Sequence, residues 1–209
     1  MQYDLTRHAS TQYNTPQMRI GIYGGTFNPI HNGHVALAEA FLKQAKLDEV
    51  WFVVSPQNPF KINVKLLDDH LRLKMVQEVL KDKHRLIASD YEFHLPKPSY
   101  TWDTLQSLSK DFPRHQFTLL IGGDNWKAFD KWYHYEDILA NYQIAVYPRI
   151  GDGIEENVLP KNVRLLKTEL INISSTEIRN RVKANEPITG MVPAVIEKQV
   201  REAYKALSG

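Results

Sequence analysis

Glu49-Val-Trp-Phe-Val-Val54 is a nearly unbroken apolar run that stops at Ser55-Pro56. A strand with one wet face alternates apolar and polar residues, whereas a continuous run needs cover on both faces, as in a parallel sheet flanked by helices. Neighbouring segments repeat the theme. Arg19-Ile-Gly-Ile-Tyr23 reads as a strand entering a Gly24-Gly25 turn, and a helical pattern opens near Gly33 with Val35, Ala38, Leu42 and Ala45 on one face. The chain then alternates a helix over 68–80, a strand at 85–89, a helix from Thr101 to about Lys110, the strand 117–121, a helical stretch over 125–140, the strand 143–147 and another near 163–166. This repetition predicts an α/β fold, a doubly wound, Rossmann-like, mostly parallel sheet with helices on both faces. Two C-terminal helices follow, over 174–182 and 191–207, the second with Pro193 near its first turn and Val192, Ile196, Val200, Ala203 and Leu207 on one stripe.

A length of 209 residues suits one domain. Residues 1–17 are polar and without period, which predicts a disordered or loosely docked extension ahead of a folded domain over 18–209. Residues 58–65 and 151–162 read as surface loops. Lys+Arg 26 against Asp+Glu 24 leaves a formal charge of +2, so no global basic field points to nucleic acid. The absence of Cys excludes disulfides, thiolate metal sites and a cysteine nucleophile. No apolar run approaches the roughly 18 residues that span a bilayer, and the first 17 residues lack a signal-type apolar region. A soluble, cytoplasmic protein without a membrane partner is expected. Oligomeric state has no signature here.

Gly24-Gly-Thr-Phe-Asn-Pro-Ile-His-Asn-Gly-His34 falls where an α/β sheet places its ligand, beyond the carboxyl end of a strand and at a helix start. The composition suits a phosphate. Gly24 and Gly25 let backbone approach an anion, the helix opening near Gly33 offers unpaired N–H groups, and His31 and His34 can donate to phosphate oxygens. The spacing fits neither a dinucleotide fingerprint nor a P-loop. Two histidines three apart could also ligate a metal, but no further His, Cys or carboxylate lies close in sequence.

This segment resembles the G-x-F-x-P-x-H-x-G-H signature of the H-x-G-H nucleotidyltransferases, and its Gly-Gly-Thr-Phe form is similar to bacterial nicotinate-nucleotide adenylyltransferases. Ile173-Ser-Ser-Thr-Glu-Ile-Arg179 resembles a second motif of that family, I-S-S-T-x-x-R. Ser174, Ser175 and Thr176 are helix-cap types whose hydroxyls can hold phosphate oxygens, and Arg179 adds a charged fork; an ordinary capping box from Ser174 to Glu177 fits the same residues. Pro98-Ser-Tyr-Thr-x-Asp-Thr-Leu105, Ile121-Gly-Gly-Asp124, Lys131-Trp132 and Pro59-Phe60-Lys61 extend the resemblance over about 18–207.

The resemblance implies adenylyl transfer from ATP to nicotinate mononucleotide, giving deamido-NAD and pyrophosphate, with Mg²⁺ carried on ATP and no protein metal cage. It makes 18–209 a nucleotidyltransferase domain, with His31, His34 and Arg179 as candidate catalytic residues. ATP contacts fall to Gly24, Gly25, Thr26, Phe27, Gly33, Gly122, Asp124, Ile173, Ser174, Ser175 and Thr176. The mononucleotide falls to Asn28, Lys61, Tyr100, Thr101 and Trp132, with Trp132 stacked on the pyridine ring. A phosphopantetheine adenylyltransferase-like enzyme shares the first motif, and a catalytically silent nucleotide-binding module would keep the same glycines; pyrophosphate release with parallel acceptors separates the three.

Overall fold

The computed structural model describes residues 16–57, 66–148, 153–167 and 173–207. Residues 1–15 of the expected extension, the loop over 58–65 with its Pro59-Phe60-Lys61 segment, and part of the loop over 151–162 lie outside the described residues. Six strands form one sheet: β1 (Arg19–Gly25), β2 (Glu49–Val54), β3 (Leu86–Ser89), β4 (Gln116–Gly122), β5 (Gln143–Tyr147) and β6 (Val163–Leu165). Their spatial order is β3-β2-β1-β4-β5-β6, and every pairing is parallel. The doubly wound parallel sheet expected from the apolar run is therefore present, with β2 buried over 50–54.

Strand alternation sorts side chains between two cores. Tyr23, Val50, Phe52 and Val54 face a layer built by α1 (Asn32–Gln44), α2 (Asp69–Leu80), α6 (Ser175–Lys183) and α7 (Ala194–Ala206). Ile20, Ile22, Trp51 and Val53 face the layer of α3 (Thr101–Asp111) and α5 (Tyr135–Asn141). The chain winds outward from β1 through β2 to β3, then returns to β4 beside β1. This reversal opens a crevice at the carboxyl ends of β1 and β4, the place where such sheets bind ligands.

Several boundaries differ from the sequence reading. Gly24 and Gly25 still pair with Val53 and Val54, so they end β1, and the turn falls to the next residues, with Phe27 at a φ of 43°. Helix α7 starts at Ala194, capped by Pro193, and its buried stripe runs through Ile196, Val200 and Tyr204. The expected helix over 125–140 is broken into α4 (Gly123–Lys127), a single 3₁₀ turn over Phe129–Lys131, and α5. The reason is aromatic spacing. Trp126, Phe129, Trp132 and Tyr135 recur every third residue, and their rings gather on buried Phe129 at 5.2, 5.4 and 6.1 Å; period three suits 3₁₀ turns rather than a continuous α-helix. Among the described residues no helix is long and apolar enough to cross a membrane.

Candidate active site

Three carbonyls of the loop after β1 are taken by donors from distant elements. Arg72 Nη1 donates to Thr26 O at 2.5 Å, Arg179 Nη1 to Asn28 O at 2.7 Å, and Ser175 Oγ to Pro29 O at 2.9 Å. Each bond offsets a partial negative charge that would otherwise repel an anion at this loop. Arg72 is only 1% exposed. Its other donors also meet carbonyls, of Leu67 at 2.9 Å, Ser55 at 2.9 Å and Pro56 at 3.4 Å. Burial draws its pKa below the arginine range, against the pull of Asp69, Tyr204 and Asp68.

Asn28 serves this scaffold. Its Oδ1 accepts from Tyr204 Oη at 2.5 Å and from the Leu67 amide at 3.2 Å, while its Nδ2 is buried without a hydrogen-bond partner among the described residues. Tyr204 is buried as well, and desolvation pushes its phenol upward while Arg179 and Arg72 oppose the shift.

The histidines open α1. His31 is the N-cap, 6% exposed. His34 N–H donates to His31 Nδ1 at 3.3 Å and His31 N–H donates to His34 Nδ1 at 3.2 Å, a reciprocal box made by two imidazoles. The rings stack at 3.6 Å. Because both Nδ1 atoms accept amide protons, each neutral ring carries its own proton on Nε2 and is a donor there. Phe27 and Tyr23 hold His34 from the side, at 5.1 and 6.0 Å between rings. Gly33 lies inside the first turn, and Asn32 fixes the helix start to a distant turn through Gly190 O at 2.7 Å and Met191 O at 2.9 Å.

The second motif converges on the same loop from α6. Ser174 caps the helix, accepting from Glu177 N–H at 3.1 Å, as the capping alternative foresees; Glu177 itself turns to Arg181 at 3.2 Å. Arg179 Nη2 reaches Thr176 Oγ1 at 3.1 Å, and Ile173 packs against the core.

Beside this cluster, across Tyr23 and Gly24, lies a cavity of about 750 Å³, within the range of small-molecule sites. Of the expected ligand contacts, Gly24, Gly25, Tyr100, Thr101, Gly122 and Trp132 line it. A Cβ on Gly24 would meet nothing within 4 Å, whereas one on Gly122 would lie 2.5 Å from Asp124 Oδ1 and 3.0 Å from the Tyr147 ring, so a side chain there would displace Asp124 and Tyr147. Tyr100 caps α3 through its backbone with no side-chain bond, which leaves the first-turn N–H groups as an anion-favouring end. Trp132 lines the cavity from its seat on Phe129, and Tyr133 stands 5.1 Å from Tyr100 at the rim. The floor holds Ser55, Glu92 and Ser99. Desolvation pushes the Glu92 carboxyl above its ordinary range, against the Ser55, Thr104 and Ser99 hydroxyls that favour its ionised form.

The expected residues thus divide into two adjoining sets. His31, His34, Ser175, Thr176 and Arg179 gather at the loop, and Gly24, Gly25, Gly122, Tyr100, Thr101 and Trp132 gather at the cavity. Lys61 lies outside the described residues. Sequence reading missed Arg72, Tyr204, Glu92 and Ser99. For Arg72 a signal existed, since it precedes Met75, Val76 and Val79 on the buried stripe of α2, where a lone charge implies a specific partner set. Among the described residues no group of three His, Cys, Asp or Glu side chains could hold a metal ion.

A profile of cytidylyltransferase-like proteins matches residues 22–181. The "probable nicotinate-nucleotide adenylyltransferase" of Bacteroides thetaiotaomicron is 42% identical over 186 residues, covering 89% of this chain and 92% of that protein. The protein of the same name from Cytophaga hutchinsonii is 45% identical over 183 residues, covering 88% and 95%. Among solved structures, a Plasmodium falciparum nicotinic acid mononucleotide adenylyltransferase complexed with NaAD superposes with a TM-score of 0.74 at 21% identity, covering 90% of this chain and 97% of that one.

Proposed function

Because the chain belongs to the cytidylyltransferase-like family, and within it to the nicotinate-nucleotide adenylyltransferases, we infer that the loop and the cavity divide one reaction between them. The reaction is adenylyl transfer from ATP to nicotinate mononucleotide, yielding deamido-NAD and pyrophosphate in NAD biosynthesis. A phosphate oxygen of the mononucleotide bonds to the α-phosphorus of ATP as the bond to the β-phosphate oxygen breaks. The nucleophile is a phosphate with a second pKa of about 6, ionised at neutral pH, so it needs no general base. What remains is alignment of two polyanions and stabilisation of the departing charge.

The residues present fit that demand. His31 and His34 donate from Nε2 toward the α-phosphate and leaving group. Arg179 spends two of its N–H groups on Asn28 O and Thr176 Oγ1, and its remaining donors, with the backbone N–H of Ser175 at the start of α6 and the Thr176 hydroxyl, serve the β- and γ-phosphates. Ser174 adds little beyond its cap. Gly24, Gly122 and Asp124 receive the nucleoside portion. Mg²⁺ would accompany ATP on its triphosphate oxygens and supply charge neutralisation there. The pyridine end enters the cavity, with Trp132 as its stacking face and the uncapped start of α3 favouring its carboxylate. A cytoplasmic location accords with these substrates.

The observation that carries this division is the convergence of Arg179 and Ser175 on Asn28 O and Pro29 O, which closes two separate phosphate-type motifs around one loop. Pyrophosphate release from ATP, measured with nicotinate mononucleotide, nicotinamide mononucleotide and phosphopantetheine in parallel, tests it. Nicotinate mononucleotide should turn over fastest. Trp132→Ala should raise its KM about tenfold or more, given that stacking on an aromatic contributes about 1–3 kcal/mol, with the KM for ATP little changed; a defect confined to ATP would refute the stacking role.

A further inference from the structure

His134 lines the cavity just after Trp132 and Tyr133, and no step of the reaction above uses it. Its backbone lies in the left-handed region, at φ 55° and ψ 38°, where a residue bearing a Cβ is disfavoured. Such a conformation persists where surrounding contacts over-determine it, and the His134 ring makes them. It stacks on Trp102 of α3 at 5.4 Å with 23° between planes. It meets the Tyr133 ring edge-on at 4.2 Å, and its Nδ1 donates to Asp137 Oδ2 in the first turn of α5 at 2.6 Å. Tyr133 in turn lies 5.1 Å from Tyr100. We propose that His134 is a positioning residue for the acceptor: stacked on Trp102, it ties the segment that carries Trp132 to the first turn of α3 and so fixes the Trp132 ring as a platform for the pyridine ring. This rests on the acceptor reading above and deepens it.

Trp132 needs such a tie because of where it sits. It ends the 3₁₀ turn over Phe129–Lys131 and lies ahead of α5, a helix of 7 residues; elements this short take their direction from packing rather than from their own hydrogen bonds. Phe129, at 5.4 Å, anchors the Trp132 ring to the core. The start of α3 brings Tyr100 and Thr101 to the same cavity. His134 and Tyr133, through Trp102 and Tyr100, join the segment to that helix start, so the stacking face is set before the acceptor arrives. Binding is then spared the cost of ordering a wall of the cavity. A saving of this kind acts on the KM of the ligand that touches the wall, and leaves the phosphate chemistry at the loop after β1 unchanged.

His134→Gly tests this, because glycine suits the left-handed backbone while the ring is deleted. The KM for nicotinate mononucleotide should rise about three- to tenfold, the worth of one aromatic pair, with kcat and the KM for ATP little changed. Trp102→Leu, which removes the stack from the other side, should give a similar rise, and Trp102→Phe should keep the KM within about twofold of the unaltered protein. In a Trp132→Ala background, His134→Gly should add less than about twofold, because its effect passes through that ring. An unchanged KM in His134→Gly, or the full further rise on top of Trp132→Ala, overturns the proposal. Should His134→Gly fail to fold, Trp102→Leu and Trp102→Phe decide it. Trp132→Ala without effect on the mononucleotide would overturn the stacking role, and this proposal with it; an effect of Trp132→Ala without one of His134→Gly overturns this proposal alone.

Discussion

His31 and His34 illustrate how one residue pair can divide structural work and its proposed chemical work between different atoms. The Nδ1 atoms cap α1, and the capping fixes which nitrogen bears the proton. Protonating Nδ1 would break a cap bond, so with the caps in place each ring presents its N–H at Nε2. His34→Ala should therefore have two separable consequences. Turnover should fall about a hundred- to a thousand-fold, the loss typical of one donor to a developing anion. Stability should fall by about 1 kcal/mol, the usual cost of a cap contact, measured by urea unfolding beside steady-state pyrophosphate release. The motif spacing names both histidines, but it is silent on Nδ1 against Nε2, which depends on a backbone conformation 3 residues long. Asn28 is read from sequence as a substrate contact, and in the structure its Oδ1 accepts from Tyr204 and from the Leu67 amide. A side chain 2% exposed and bonded across 176 residues cannot be inferred from its neighbours in sequence.

At the scale of elements, helix α2 contributes a cation that no motif records. Arg72 ties the loop after β1 to the end of β2 and to Leu67, with carbonyl partners throughout. Arg72→Met would fill the space yet leave these carbonyls without donors, and a buried acceptor left unmade costs about 1–3 kcal/mol. A loss of about 2–4 kcal/mol in chemical unfolding should accompany at least a tenfold drop in kcat, since the loop that carries His31 is then held less firmly. Element identity was legible wherever the period was strong. The unbroken run of β2 and the amphipathic stripe of α1 both correspond to their structural elements, because burial on two faces or one leaves a direct imprint on composition. The stretch over 125–140 failed because a period of three and a period of 3.6 differ little over four aromatic residues, and contact with Phe129 decided between them. The glycine pair was legible as special but not as the end of a strand, because the local sequence does not count ladder bonds.

For the whole molecule, the arrangement places the candidate site where the sheet reverses direction, with one face of helices holding the loop after β1 and the cavity reaching beneath α3. The doubly wound topology follows from alternating units along the chain, and the assignment of motifs to one site follows from the rule that such sheets bind at their carboxyl edge. The coupling of the last helix to that edge does not follow from either. Tyr204→Phe removes the bond to Asn28 without changing packing, and should cost about 1 kcal/mol of stability while lowering kcat about threefold or more as Asn28 loosens; unchanged turnover would leave the C-terminal helix as packing alone.

The contacts that close the loop join positions separated by 146, 151 and 176 residues. During synthesis the histidine motif is made well before the residues of α6 and α7 that restrain its loop. A nascent chain that carries the sheet but not α7 lacks the Tyr204 bond to Asn28, so this restraint on the loop forms only once α7 has been made.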